Sequence, residues 1–271
     1  MLIYHEDNYI VDFFKIFENY SNIEILQSIK ITKKSFNKDR YDINIPTYKI
    51  SLDSLFKILN TLNFPNDKFQ EIVKEYNQSE EVHFGIEKNK KQINYRVYFK
   101  RKISLSEWLS YKNSYEQTTV FYSFKWNSEN NSNVLNTSYD ICHNVDAKKM
   151  IEIIKTKISF LPKFLVKKIK EKSNHKPKHL IRKSNLIYSS QEHPYVLFSV
   201  EDKNSPRKSF NIIHEPIVFW GLSSDIEKFF DIKFSEVFAD LQNECFINFT
   251  GGIDKNNEDF ITLYFELNKG S

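Results

Sequence analysis

Arginine, lysine and tyrosine side chains alternate with apolar ones along residues 94–100 of this sequence, NYRVYFK. Successive side chains of a strand point to opposite faces, so Arg96 and Tyr98 share one face while Val97 and Phe99 share the other. Guanidinium groups bind phosphate or carboxylate oxygens in pairs, and phenols add hydroxyl donors and ring faces that attract cations. The polar face of this segment therefore suits an anionic ligand.

The same division of faces recurs in other alternating segments. Residues 23–31 place an isoleucine row opposite Glu24 and Lys30, and residues 40–45 alternate Arg40 and other polar residues with apolar ones. The polar rows of all these predicted strands contain cations, carboxylates, an imidazole and phenols. The residues on them are Glu24, Lys30, Arg40, Asp42, His83, Glu87, Arg96, Tyr98, Lys125, Tyr195, Tyr264 and Glu266.

Helices and strand pairs must position these rows. Apolar residues at helical spacing predict helices over residues 8–20, 51–59, 67–76, 105–111, 147–172 with an interruption at Pro162, and 225–241. Alternation predicts strands over residues 23–31, 40–45, a hairpin at 81–101, 119–126, 134–142, 185–190, 195–200, 210–214, and a final hairpin ending with 260–267.

For two of these strands we also predict which side chains share the more polar face. In residues 119–126, Thr119 shares the more polar row with Lys125. In residues 134–142, the more polar side consists of Asn136, Ser138 and Asp140.

The recurrence of strand pair and helix predicts an α+β protein with an antiparallel sheet that helices cover on one face. An antiparallel sheet of about ten strands often curls or closes into a barrel. No linker with a shift in composition divides the chain, so we expect one domain over residues 1–271. The polar rows then face bulk water if the sheet is open, or line a shared lumen if it closes.

Composition narrows the function classes. A net charge of +4 and a pI near 8.7 suit an anionic ligand but fall short of a dedicated nucleic-acid binder. Cys142 and Cys245 are too few for a disulfide framework and no leader pattern is evident, which predicts a reduced, cytoplasmic protein. No apolar run approaches the roughly 20 residues that span a bilayer, and the histidines show no metal-ligand spacing.

Three segments of the sequence resemble the ABBA-type aromatic prenyltransferases, and most of all the cyanobactin peptide prenyltransferases. These are NIEILQSIKITKKSFNKDRYDINI (22–45), GIEKNKKQINYRVYF (85–99) and FTGGIDKNNEDFITLYFE (249–266). The order of elements extends the resemblance over the whole chain. It implies a ten-stranded antiparallel β-barrel surrounded by helices, with the polar rows inside.

The resemblance also implies an activity and a site. A dimethylallyl or geranyl diphosphate is expected in the barrel, and Glu24 is expected to be the base that takes a proton from the acceptor. The acceptor is then a side chain of a peptide, cyclic peptides included, or a small aromatic molecule. Mg²⁺ is expected to be held mainly by the diphosphate, and the protein to act as a monomer without nucleic-acid or membrane partners. The diphosphate-binding residues would be Lys30, Arg40, Arg96, Tyr98, Lys125, Tyr195 and Tyr264.

Two other functions remain open on the sequence. The same chamber would suit a non-catalytic binding protein for an amphipathic ligand. An open sheet would instead leave the strand cations on an ordinary surface, with the basic run Lys163 to Lys183 available for nucleic acid. Catalytic turnover distinguishes the expected prenyltransferase from the binding protein. Closure of the sheet distinguishes it from the open-sheet protein.

Overall fold

A computed structural model describes most of the chain. The described residues are 8–21, 23–89, 92–102, 118–142, 147–161, 163, 166–167, 170, 196–202, 208–218, 223–238, 245–254 and 256–267. The strands are β1 (Glu24–Thr32), β2 (Ser35–Asn37), β3 (Arg40–Pro46), β4 (Ser79–Asn89), β5 (Gln92–Arg101), β6 (Thr118–Asn127), β7 (Leu135–Ile141), β8 (Val196–Asp202), β9 (Lys208–Val218), β10 (Cys245–Ile253) and β11 (Asp259–Glu266). The helices are α1 (Asn8–Lys15), α2 (Leu52–Thr61), α3 (Phe69–Asn77), α4 (Ala147–Lys155), α5 (Ser223–Phe230) and α6 (Phe234–Phe238), with 3-10 turns at Thr47–Lys49 and Asn66–Lys68.

The sheet closes on itself because its first and last strands pair. β1 pairs with β3 along its first half and with β11 along most of its length, and Ser28 lies opposite Tyr264. Every other strand from β3 to β11 pairs antiparallel with its neighbour in the chain, and the short β2 pairs with the end of β1. Ten strands therefore form a closed antiparallel barrel, which confirms the predicted fold.

Helices cover the outside of the barrel, where the apolar strand rows lie. On one side Phe13 and Phe17 of the N-terminal segment pack on the sheet, and the Phe17 ring centre is 5.0 Å from that of Phe84 on β4. On the other side α4 and α5 bury Ile154 and Phe230 against apolar residues of β1 and β9 to β11. Because the apolar rows face outward, the opposite rows of the same strands face the lumen.

Three predicted helices differ from those in the structure. The first part of the helix predicted over 147–172 ends at Lys155, before Pro162. The predicted helix over 8–20 ends at Lys15 and continues as turns. The single helix predicted over 225–241 is two helices, because Asp231 takes a left-handed conformation with φ 53° and ends α5. The carbonyl oxygen of Phe230 at that end accepts the backbone N–H of Lys34, at 2.7 Å, in the turn after β1. No described helix is long and apolar enough to cross a membrane.

The polar row predicted for β7 faces outward, not into the lumen. Its Ser138 lies opposite Tyr122 and its Asn136 opposite Phe124, whose ring is part of the outer core. A bulge in β6 also takes Thr119 out of the row of Phe121 and Lys125.

Hydrogen bonds explain how the outer face of β7 accommodates polar groups. Asp140 accepts from Thr119 Oγ1 at 2.5 Å and from Ser138 Oγ at 3.3 Å.

The strand predicted at 185–190 and the helix predicted at 105–111 lie outside the described residues.

Gly252 tests how tightly the barrel wall is packed. A Cβ at this position of β10 would clash with the backbone of Ser209 and the carbonyl oxygen of Lys208 on β9. Because backbone atoms yield little, we expect Gly252→Ala to lower the free energy of unfolding by about 1–3 kcal/mol. Urea unfolding measures this. Tyr48→Ala, at a position 83% exposed, is the control and should leave stability almost unchanged.

Candidate active site

Three cations converge on one carboxylate inside the barrel. Arg40 Nη1 lies 3.1 Å from Glu87 Oε1, while Lys125 Nζ and Arg96 Nη2 lie 2.8 and 3.5 Å from Oε2. The side chains of Arg40 and Glu87 are each only 8% exposed. We name Arg40, Arg96, Lys125 and Glu87 the cation cluster.

Strand register brings these residues together from distant parts of the sequence. Arg40 of β3 lies opposite Glu87 of β4, and Arg96 of β5 lies opposite Lys125 of β6. β4 also pairs with β5, so the four residues occupy neighbouring rows of the inner face. Their alternation with outward apolar residues, which the sequence already shows, turns all four side chains inward.

Electrostatics keep the cluster charged. Burial alone would raise the pKa of Glu87, but Arg40, Lys125 and Arg96 hold it well below its usual value, so this carboxylate is ionised. Burial, with repulsion from Arg96 and Arg40, lowers the pKa of Lys125 to about 7 although Glu87 opposes the shift. A second carboxyl, that of Asp42, is so deeply buried that its pKa is raised despite Arg96 and Arg40. With three cations and at most two carboxylates, this group of side chains stays positive whenever Lys125 is protonated.

Gly85 makes room for the second carboxyl. It lies on β4 between Asp42 of β3 and Arg96 of β5 in the same cross-strand row. A Cβ at position 85 would clash with a carboxylate oxygen of Asp42 and would approach the Arg96 Cβ at 3.4 Å. The absence of a side chain there lets Asp42 lie over the strand and face the guanidinium.

Phenols lie beside Arg96 of the cluster. Arg96 Nη1 donates to the Tyr98 hydroxyl at 2.8 Å, and the Tyr98 and Tyr139 ring centres are 6.0 Å apart. Tyr139 and Tyr264 both lie within electrostatic range of Arg96 and Tyr98. Burial raises the pKa of Tyr98 well above its usual value, so its hydroxyl stays protonated.

Other candidates from the sequence lie further from the cluster. Glu24 is exposed at the end of the barrel, where its Oε2 accepts from Asn44 Nδ2 at 2.7 Å. Lys30 faces the ring of Phe260, 5.1 Å from its centre. Tyr195 lies outside the described residues.

Tyr264 is connected to the cluster through Ser28, its partner across β1 and β11. Ser28 Oγ accepts from Arg40 Nε at 3.2 Å. One strand, β1, therefore lies between Tyr264 on β11 and Arg40 on β3, and Tyr264 is across the seam where the barrel closes.

Sequence reasoning missed Tyr139. The ring is on the row of β7 that carried the weaker polar pattern, and only its register with Phe121 of β6 turns it inward. The tyrosine itself was the available signal, because a phenol on either row of a barrel strand is a candidate for the lumen.

The cluster fits an anion better than a metal ion. Its carboxylate Glu87 and the neighbouring Asp42 face guanidinium groups, which would repel a divalent cation. Among the described residues, no group of three His, Cys, Asp or Glu side chains is arranged to hold a metal.

Solved structures share this architecture. PriB in a binary complex with product diphosphate superposes with a TM-score of 0.53 and 7% identity, covering 92% of this chain and 80% of that one. A 6-dimethylallyltryptophan synthase from Micromonospora olivasterospora, in complex with DMASPP and Trp, gives 0.51 and 8%, covering 92% and 82%. A further 6-dimethylallyl tryptophan synthase gives 0.50 and 8%, covering 90% and 80%.

The chain has the ABBA barrel fold. At such low identity the likeness establishes the fold and leaves the chemistry of the lumen to the residues themselves. No family model matches the chain, and no curated protein matches its sequence. Within this ABBA barrel, the cation cluster and its phenols are the candidate active site.

Substitution of Glu87 tests whether this carboxylate stabilises the three cations of the cluster. Glu87→Gln leaves three buried cations without their counterion, so we expect a loss of about 3–5 kcal/mol in the free energy of unfolding. Urea unfolding with and without pyrophosphate measures it, and the added anion should restore part of the loss. Glu80→Gln is the matched control: this carboxylate is 25% exposed and pairs with Lys100, which Glu81 also neutralises. Equal losses in the two variants would contradict the prediction.

Proposed function

We propose that the protein is a prenyltransferase that moves a dimethylallyl or geranyl group from its diphosphate to a side chain of a peptide, cyclic peptides included, or to a small aromatic molecule. The observation that carries the proposal is the cation cluster, enclosed with phenols inside a closed barrel. It supplies both halves of the chemistry: positive charge for the diphosphate and aromatic rings for the carbocation.

The diphosphate would be held by Arg40, Arg96 and Lys125, with hydroxyl donors from Tyr98 and Tyr264. When the allylic carbon–oxygen bond breaks, the electron pair stays on the diphosphate, and the cations stabilise the charge that develops there. Glu87 keeps the three side chains in place before the ligand arrives. Preorganised charges need no rearrangement in the transition state, which is why they lower its energy.

The allylic cation would lie against the phenol rings. Tyr98 and Tyr139 present neighbouring inclined rings, and a ring face stabilises a cation by about 0.5–2 kcal/mol. The closed wall of the barrel also limits the water that would otherwise capture the cation. In this proposal Tyr139 joins the site residues expected from the sequence.

Mg²⁺, if used, would be held by diphosphate oxygens, which it prefers. The lumen carboxylates face guanidinium groups and do not suit it, so none of the steps above depends on the ion. Roles for Lys30, Tyr195 and Glu24 stay predictions from the resemblance. The single-domain organisation, the monomeric state and the cytoplasmic location also stay predictions.

A transfer assay tests the function. The protein is incubated with dimethylallyl or geranyl diphosphate and peptides that present Tyr, Trp, Ser, Thr, His or Arg, and mass spectrometry detects the added isoprene. Prenylated product is the expected result. Diphosphate uptake without any product, with and without Mg²⁺, would overturn the proposal in favour of a binding protein.

Arg96 is the most informative single variant. We expect Arg96→Ala to reduce transfer by about 10²-fold or more, because the leaving group loses a buried guanidinium. Arg101→Ala is the matched control: this arginine ends the same strand but pairs with Glu75 of α3, outside the lumen, and its loss should leave transfer within about twofold. Circular dichroism should show that both variants are folded. Full transfer by Arg96→Ala would remove this residue from the site.

The lowered pKa of Lys125 predicts that anion binding depends on pH. Its pKa of about 7 means that it is protonated below neutral pH and loses its charge above it, so its contribution to pyrophosphate binding falls as pH rises. Lys125→Arg keeps the charge at all these pH values and is the reference, since pyrophosphate also titrates. Calorimetry should show the wild-type affinity falling about tenfold relative to the variant between about pH 6 and about pH 8.5. If the pyrophosphate affinities of the wild type and of Lys125→Arg change in parallel with pH, the prediction is contradicted.

A further inference from the structure

An imidazole faces the lumen beside the cation cluster. His83 lies on the inner face of β4, opposite Asn44 on β3 and opposite Tyr98 on β5. Its side chain is 16% exposed, so it is neither sealed in the core nor free in solvent. The diphosphate chemistry proposed above does not use it.

A carboxylate orients this imidazole. His83 Nε2 lies 3.5 Å from Glu81 Oε2, which also accepts from Lys100 Nζ at 2.8 Å. Burial opposes the charge of Glu81, but its contacts with His83 and Lys100 lower its pKa to about 2, so it is ionised. An ionised carboxylate only accepts hydrogen bonds, which places the imidazole proton on Nε2 and leaves Nδ1 with its lone pair. Within the described part of the chain, no hydrogen bond engages Nδ1.

The imidazole belongs to the aromatic wall of the site. Its ring centre lies 6.3 Å from that of Tyr98 and 5.7 Å from that of Phe121. The Tyr98 hydroxyl in turn accepts from Arg96 of the cation cluster. His83 is therefore next to the place where an allylic group would lie once Arg96 holds its diphosphate.

The carboxylate expected to be the base is less well placed. Glu24 is exposed at the barrel end, and Asn44 already occupies one of its oxygens. Two strand spacings, roughly 10 Å, separate its backbone from that of His83. His83 lies on the side nearer to Tyr98 and Arg96.

We propose that His83, positioned by Glu81, takes the proton that the acceptor loses when it is prenylated; this inference rests on the proposed function. The allylic carbon–oxygen bond breaks and its electron pair leaves with the diphosphate. The acceptor atom X forms a bond to the allylic carbon, and the electron pair of its X–H bond, or of the aromatic C–H bond, stays on the acceptor. The proton moves to Nδ1, giving an imidazolium that donates to Glu81 through Nε2.

Charges on every neighbouring strand affect this proton transfer. Glu81 on the same strand is ionised and attracts an imidazolium, while Lys100 on β5 partly neutralises Glu81. Asp42 on β3 attracts the imidazolium only in its ionised form, which burial disfavours. Tyr98 on β5 is protonated and adds no charge.

The test compares His83→Gln with the wild type, using dimethylallyl diphosphate and whichever peptide of the panel the wild type prenylates. We expect kcat for transfer to fall by about 10²-fold or more, with pyrophosphate affinity unchanged and with free prenol from water capture making up a larger share of the product. His83→Ala repeats the measurement with added imidazole, which should restore part of the rate.

Two matched carboxylate variants separate positioning from folding. Glu81→Gln should lower kcat about tenfold and shift its pH profile while leaving the pyrophosphate affinity unchanged. Glu80→Gln removes the neighbouring carboxylate, which also pairs with Lys100 but not with His83, and should keep kcat within about twofold. Equal effects of the two variants would remove Glu81 from the positioning role.

The outcomes also distinguish this inference from the proposed function. Wild-type transfer rates in His83→Gln, or a 100-fold loss confined to Glu24→Gln, would overturn the role of His83 while the prenyltransferase assignment stands. Failure of the wild type to consume either dimethylallyl or geranyl diphosphate with any of the peptides would overturn both. Loss of pyrophosphate binding in His83→Gln would place His83 in the anion site and overturn its role as the base.

Discussion

The pairing of β1 with β11 is the constraint on which the rest of the structure depends. It closes the sheet, so that rows which an open antiparallel sheet would expose to water instead face one another. Ion pairs that contribute little on a surface become strong in the enclosed lumen, because the surroundings screen them less. The outer apolar rows, in turn, give the helices a surface to bury.

The cation cluster depends on its central carboxylate. Arg40, Arg96 and Lys125 would repel one another at such distances, and Glu87 offsets that repulsion while it fixes their geometry. The same arrangement leaves the cation cluster with surplus positive charge whenever Lys125 is protonated. In the proposed function this surplus would let a diphosphate add to the cluster without displacing Glu87.

The lumen separates two kinds of chemistry along β4. In the proposed mechanism Glu87 belongs to the anion-binding rows, whereas His83 and Glu81, two and three inward-facing positions further along β4, form a separate proton-accepting region. Tyr98 connects the two regions through its contact with Arg96. Such a division is what alkylation needs, because a leaving anion requires positive charge and a departing proton requires a base.

The sequence by itself determined which residues share a face. Alternation placed Arg40, Arg96 and Lys125 on polar rows, and apolar stripes set the outer surface of the barrel, because both follow from local backbone periodicity. Tertiary structure alone decided that β1 meets β11, that a bulge in β6 removes Thr119 from its row, and that Tyr139 turns inward. These depend on pairing between strands far apart in the chain, and no local pattern specifies which partner a strand will find.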